Sequence, residues 1–150
     1  MTWYYNDVEL SDDDIPNKAF GFIYIITHLP SGKRYIGRKL LTKSHRRQKN
    51  KKIIKSRVEN DWRDYWSSSP ELLELIEIEG KTNFKREILC FADTRGQLNY
   101  LEEKFQYSLG VLESEAWFNS NIRSKMFKKN LLNKMDFSRI ESIINILKKE

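Results

Sequence analysis

Phe20 to Thr27 is a dense run of β-branched and aromatic side chains, broken by Pro30-Ser31-Gly32 and resumed as Lys33 to Gly37. Such a run followed by Pro, Ser and Gly predicts a β-hairpin, and its apolar content demands a sheet and covering layers around it. Side chains alternate faces along a strand and a tight turn brings the two arms together. Tyr24 and Tyr35, eleven positions apart, can therefore reach one surface. Gly37 beside them permits close backbone approach. Tyrosines also favour strands for packing alone, so the pair by itself does not establish chemistry.

Downstream the periodicity changes. Pro70 at a first-turn position, then Leu72, Leu75 and Ile76 at helical spacing before Gly80, predict an amphipathic helix. Asn83 to Phe91 reads as a third strand, with the single cysteine, Cys90, buried between Leu89 and Phe91. A second helix is expected from Gln97 to Leu109, with Leu98, Leu101 and Phe105 on one face and Gly110 ending it. An aromatic and amide-rich turn over 116–122 precedes a basic tail from Arg123 and a last helix from Phe137 to Leu147. The stripe Phe137, Ile140, Ile143, Ile144 and Leu147 suits docking on the same chain or pairing in a homodimer. The organisation expected is an acidic arm over 1–19, a domain over 20–122 with a basic insertion at 38–58, and the tail over 123–150. Trp3, Tyr4, Tyr5, Val8 and Leu10 are available to pack the arm against the domain.

A chain of 150 residues has room for one core. Its net charge of +6 is polarised: the first fourteen residues hold Asp7, Glu9, Asp12, Asp13 and Asp14 and no Lys or Arg, whereas Arg38 to Arg57 holds ten Lys or Arg and no acid. Such a cluster repels itself unless an anion joins it, and phosphate backbones are the commonest such partner. A solvated loop is the plainer reading. The run has neither Pro nor Gly, yet its self-repulsion favours an extended or mobile insertion over a helix. No stretch approaches the roughly 18 apolar residues of a membrane span, and the start, Met-Thr-Trp-Tyr-Tyr, is not a basic and apolar leader. One cysteine excludes an internal disulfide and a cysteine-based zinc site. The expectation is a cytoplasmic protein.

Gly21-Phe22-Ile23-Tyr24 with Tyr35-Ile36-Gly37 resembles the paired signature of the GIY-YIG nuclease superfamily, Gly-Ile-Tyr and then Tyr-Ile-Gly. The second half matches; in the first, Phe22 stands where glycine is usual and Gly21 lies one position early. Later features follow the family's order. Leu101-Glu102, with Phe105 three residues on, looks like the metal-binding glutamate on its helix, and Phe118-Asn119 like the closing aromatic-Asn element. The block Asp61-Trp62-Arg63-Asp64-Tyr65-Trp66-Ser67-Ser68-Ser69 resembles one in small phage-encoded, homing-type members, which would place the protein in a bacterial host. The resemblance spans roughly residues 20 to 122. It implies an α+β fold: a small central antiparallel three-stranded sheet flanked by helices, with the active site on the sheet's exposed face and an acidic arm and a C-terminal helix as extensions.

The implied activity is metal-dependent hydrolysis of duplex DNA. Glu102 would hold one divalent ion, and an oxygen ligand suits Mg²⁺ or Mn²⁺. Glu103 competes for that role, the helical register after Leu101 favouring Glu102. Tyr35, or else Tyr24, would take a proton from water; a free phenol titrates near pKa ~10, so the basic surroundings are expected to lower it. An arginine whose fork clamps the scissile phosphate is expected after the second tyrosine. Arg46 is preferred, with Arg38, Arg47 and Arg63 as alternatives. His45 reads as a phosphate contact or a second base, and Asn119 or Asn121 as an anchor. Arg38, Lys39, Lys43, His45, Arg47 and Arg63 form the expected DNA surface, while Trp62, Tyr65 and Trp66 suit core packing or stacking on nucleic acid. The rival readings are a non-catalytic nucleic-acid-binding protein on the same scaffold, an RNA-directed nuclease, and a repair or restriction role.

Overall fold

The computed structural model describes residues 2–122 and 136–149; the basic tail expected from Arg123 falls mostly outside the described residues. Strands β1 (Tyr4–Tyr5), β2 (Val8–Glu9), β3 (Gly21–His28), β4 (Arg34–Leu40) and β7 (Phe84–Ala92) form one sheet in the order β2-β1-β7-β3-β4. The hairpin β3–β4 pairs as the sequence predicts, with Tyr24 opposite Gly37 and Tyr35 opposite Ile26. Strand β7 lies antiparallel on the other side of β3, which makes β3 central and explains why nearly every residue along it is buried.

The sheet is not the three-stranded antiparallel one that was expected. The arm adds two short strands to it, and β1 runs parallel to β7, so the sheet is five-stranded and mixed. Two-residue strands carry no readable alternation, and parallel pairing is set by tertiary contact. The local signal was Asn6-Asp7, both at positive φ (52° and 67°), the geometry of a two-residue hairpin turn. Trp3, 2% exposed, fixes the arm in the core.

Helices close both faces. On one, α1 (Pro70–Glu79) sends Leu72 and Ile76 into a cluster with Trp3, Phe22, Tyr24 and Ile26. Its start follows from Pro70 in the first turn and Ser69, whose side chain accepts from the Leu72 amide. On the other, α2 (Arg95–Ser108) packs Leu98, Leu101 and Phe105 against Ile23, Ile25 and Ile36. It begins two residues earlier than expected because Thr94 caps it through the Gln97 amide. A register shift between Ile23 and Tyr24 leaves Leu89 without a partner on β3, so Phe84 and Ile88 face the first cluster and Cys90 and Ala92 the second. Burial pushes the Cys90 thiol up to about 12.

Helix α3 (Ser138–Lys148) buries Ile140 and Ile144 in the second cluster, with Ile143 and Leu147 packed against it. Lys104 pairs with Glu141 at 3.2 Å and Arg139 donates to Asn6 at 2.6 Å. The apolar stripe that suggested a homodimer is thus covered by its own chain. No helix among the described residues is long and apolar enough to cross a membrane.

The basic stretch, whose structure the sequence left open, is a second two-stranded sheet, β5 (Thr42–Lys49) paired with β6 (Lys52–Glu59). Asn50 and Lys51, at φ 51° and 62°, make its turn.

Trp62 and Trp66 are core residues, which decides between packing and stacking for both. Between Trp66 and Trp3 lies Arg86, 1% exposed, its guanidinium 4.3 and 4.5 Å from the two ring centres. It donates to the carbonyls of Arg63 at 3.1 Å and Tyr65 at 2.8 Å, and so ties residues 63–66 to β7. Burial lowers its pKa to about 10, which still leaves it charged at neutral pH. Arg86→Ala strands two part-buried carbonyls at about 1–3 kcal/mol each. Urea unfolding of the variant is expected to give a loss of about 3 kcal/mol, and a change below about 1 kcal/mol would refute the anchoring role.

Candidate active site at the edge strand

Both sheet faces are covered, so the expected location on an exposed face does not occur. The polar groups gather instead at the free edge of β4. Its beginning is closed off: the Arg34 amide donates to the Ala116 carbonyl at 3.0 Å and the Phe118 amide to the Arg34 carbonyl at 2.7 Å. Asn119 continues this, accepting from the Ile36 amide at 3.0 Å and donating to the Ile36 carbonyl at 2.7 Å. Farther along, a cleft of about 990 Å³ opens between β4, the root of the β5–β6 ribbon, α2 and the 60–68 segment.

Gly37 decides how the tyrosines sit. A Cβ there would stand 2.7 Å from the Tyr24 Oη and 2.9 Å from Tyr35 Cε1, because both rings lie over it, with centres 6.1 Å apart and planes tilted by 36°. Tyr24 is wholly buried in the core and does not line the cleft. Tyr35 lines the cleft, its hydroxyl 3.3 Å from Ser68 Oγ. Gly21 explains the shifted first half of the motif: a Cβ there would come within 2.6 Å of the Lys39 carbonyl and of Leu98 Cδ2. Glycine is therefore needed at 21, while the Phe22 ring fills the space among Trp3, Tyr24 and Trp62.

Glu102 reaches the same cleft from α2, and Arg38, opposite Ile23 on β4, meets it with Nε 3.6 Å from Glu102 Oε1. The Nη1 of Arg38 is buried and has no hydrogen-bond partner among the described residues. Burial raises the Glu102 carboxyl above its usual 4.5, opposed by the Arg38 charge and backbone. Glu103 points elsewhere: it is buried and does not line the cleft. Both phenols move opposite to expectation. Burial raises Tyr24 well above 10, helped by Tyr35 and Tyr65, and raises Tyr35, helped by Tyr65 and Glu102. The basic residues lie around the rim, while the rings are sunk into the core.

The remaining candidates separate. Lys39 and Lys43 line the cleft, Lys39 pairing with Asp61 at 2.8 Å and lying 4.1 Å over the Tyr65 ring. Arg46 and Arg47 stand exposed on the ribbon, and Arg46 shares a separate shallow depression with His45 and Lys55. Arg46 stands away from Glu102 because β4 runs on to Leu40 and the chain then enters the ribbon, which puts Arg38 on the strand beside the cleft. Arg63 is held by Asp12 and Glu59 at 3.0 and 3.1 Å, outside the cleft. Asn121 lines the cleft, whereas Asn119 braces β4 from outside it.

Several lining groups were not foreseen: Ser68 and, on α2, Asn99 and Gln106. The Asn99 Oδ1 is buried without a partner among the described residues. Asn99, Glu102 and Gln106 recur at spacings of three and four, a polar stripe legible from the same periodicity that marks Leu98, Leu101 and Phe105. Ser68 had no such signal, since its approach to Tyr35 depends on the Arg86 anchor.

Gly37→Ala forces its methyl into the two rings, and overpacking of this kind costs about 1–3 kcal/mol. Chemical unfolding is expected to report that loss, together with a shifted tyrosine environment in near-UV circular dichroism; unchanged stability would refute the steric role.

The family model described as "Putative endonuclease segE, GIY-YIG domain" matches residues 3–122, a span that takes in the arm from Trp3. No curated protein and no solved structure matches the chain significantly. With Tyr35 and Gly37 on the edge strand and Glu102 reaching the same cleft from α2, the matched span is that of the whole sheet and both its covering helices, and the chain belongs to the segE-type GIY-YIG endonuclease family.

Proposed function

We propose that this protein is a divalent-metal-dependent endonuclease that hydrolyses phosphodiester bonds in DNA, in a phage or mobile-element setting of the homing type. The observation that carries the reading is the convergence of Tyr35, Arg38 and Glu102 in one open cleft with Lys39, Lys43 and Arg57 around it. A phosphate needs a fixed fork of donors, a carboxylate-held cation and a place for water, and this edge offers all three kinds of group.

The donor set suits Mg²⁺ or Mn²⁺: the Glu102 carboxylate, and three residues earlier on α2 the partnerless buried Asn99 Oδ1. So few protein ligands leave room for waters and phosphate oxygens, the usual habit of these ions. Glu102 and Asn99 would hold the ion, which would supply positive charge against the phosphate and oppose the field that Glu102 alone exerts on Tyr35. Arg38 takes the phosphate-clamping role in place of Arg46, because its Nη1 is the guanidinium nitrogen left without a partner beside Glu102. Tyr35 works as a neutral hydroxyl braced by Ser68 that orients the attacking water, since burial raises its pKa. Tyr24 supports Tyr35 from beneath. Asn119 keeps β4 straight, and Lys39, Lys43 and Arg57 contact flanking phosphates.

The test is cleavage of supercoiled plasmid with Mg²⁺ by wild type and Glu102→Gln. The variant is expected to lose about 10²–10⁴ in rate while binding DNA as before. Wild type that binds but cuts with no divalent ion would make the chain a binding module. The carboxyl also sets a pH dependence. Its raised pKa favours the neutral form in the fold, so wild type loses stability as pH rises from the ordinary carboxylate range through the raised value. Glu102→Gln lacks that loss, so in EDTA at pH 7 its Tm should exceed that of wild type. Mg²⁺ affinity, measured by calorimetry, should fall on acidification at a pH above that of an ordinary glutamate; an acid limb at or below 4.5 would count against Glu102 as the ligand.

A further inference from the structure

We infer that the β5–β6 ribbon lies in the major groove of duplex DNA on one side of the scissile phosphate and reads bases with the face bearing Arg46, Gln48, Ile53 and Lys55. The direction of this inference rests on the nuclease reading of the cleft. Its physical basis is the ribbon itself, which stands outside the main sheet with almost every residue exposed on both faces.

Registration sorts the side chains. The pairs Ser44–Arg57, Arg46–Lys55 and Gln48–Ile53 share one face, and Lys43–Val58, His45–Ser56, Arg47–Ile54 and Lys49–Lys52 share the other. The root of the ribbon is continuous with the candidate active site: Ser44 and Arg57 of the first face line both the cleft and the shallow depression, which Arg46 and Lys55 share with His45 and Ser56 of the other face. Arg57 is anchored at the root, donating to Thr42 Oγ1 at 2.7 Å and lying 4.7 Å over the Phe20 ring. Beyond it, no ion pair engages Arg46 or Lys55 among the described residues, and Ile53 is 64% exposed.

Dimensions choose the groove. Two strands about 4.8 Å apart, with their side chains, fill a major groove of about 12 Å and do not enter a minor groove of about 6 Å. Eight residues at about 3.3 Å each reach about 26 Å, or roughly eight base pairs at about 3.4 Å. The chemistry suits base edges: Arg and Lys for guanine, Gln for adenine, and an apolar side chain for the thymine methyl. The opposite face, with Lys43, Arg47, Lys49 and Lys52, is turned to phosphates. The turn holds Lys51 at positive φ without a glycine, and a stiff two-residue turn keeps both strands in register to the tip. Duplex RNA has a deep, narrow major groove that such a ribbon cannot enter.

The test is selection of duplexes from a random-sequence pool by the full chain in EDTA, so that the result does not depend on cleavage. Wild type is expected to return a preferred sequence confined to one side of the position it cuts when Mg²⁺ is added, with a hydroxyl-radical footprint extending about eight base pairs that way. The triple variant Arg46→Ala, Gln48→Ala, Lys55→Ala should keep its Tm, lose the preference and bind the selected duplex at least about tenfold more weakly. Replacing purines by 7-deazapurines in that half should weaken wild type and leave the variant unaffected. No selected sequence, a footprint symmetric about the cut, indifference to 7-deazapurines, or equal affinity for duplex RNA would each overturn the inference. If wild type selects and protects DNA in this way but never cuts it, the groove contact stands and the nuclease reading fails; if it cuts with no selected sequence, the reverse holds.

Discussion

Burial of β3 along both faces is the constraint from which the rest of the domain follows. Phe22, Tyr24 and Ile26 belong to one cluster, Ile23 and Ile25 to the other, so a slip of one residue would exchange every side chain between two filled spaces. The register with β4 is thereby pinned, which sets Gly37 opposite Tyr24 and Arg38 opposite Ile23. Tyr24 on β3 and Tyr35 on β4 project on the side of α1, and Arg38 leaves β4 toward α2. Groups that depart on opposite faces meet only where the sheet ends, and the cleft accordingly lies around the free edge of β4.

The polar groups of the interior divide according to their place. Arg86, deep among tryptophans, gives its protons to two carbonyls, and Asn119 spends both ends of its amide on Ile36. These interactions hold the loops that border the cleft. At the cleft the arrangement is reversed: Arg38 Nη1 and Asn99 Oδ1 are buried without partners among the described residues, and Glu102 carries a burial penalty that Arg38 only partly offsets. Groups left in that state cost the fold stability. Glu103 also keeps an oxygen without a partner among the described residues, away from the cleft.

The hairpin, α1, β7, α2 and α3 were legible because each carries a composition, a period or a punctuation mark: the dense β-branched and aromatic run of β3 closed by Pro30-Ser31-Gly32, Pro70 and Gly80 about α1, and the 98–101–105 stripe of α2. Two parts were not. The arm's strands are two residues long, below the length at which alternation means anything, and only Trp3 and the Asn6-Asp7 turn betrayed them. The ribbon was obscured because eight like charges mask its alternation and its Asn50-Lys51 turn lacks the expected glycine.

By itself the sequence determined which residues could do chemistry here, since side-chain type and local period put Tyr24, Tyr35 and Gly37 on one hairpin and Glu102 on the polar side of a helix. Only the tertiary structure decided which of them meet. It brought Arg38 and not Arg46 to Glu102, sank the phenols so that their pKa values rise, and brought Ser68 to Tyr35 and Asn99 into the cleft beside Glu102. The physical reason is that residue type and period are local properties, whereas meeting at a sheet edge and being removed from water depend on how distant segments pack.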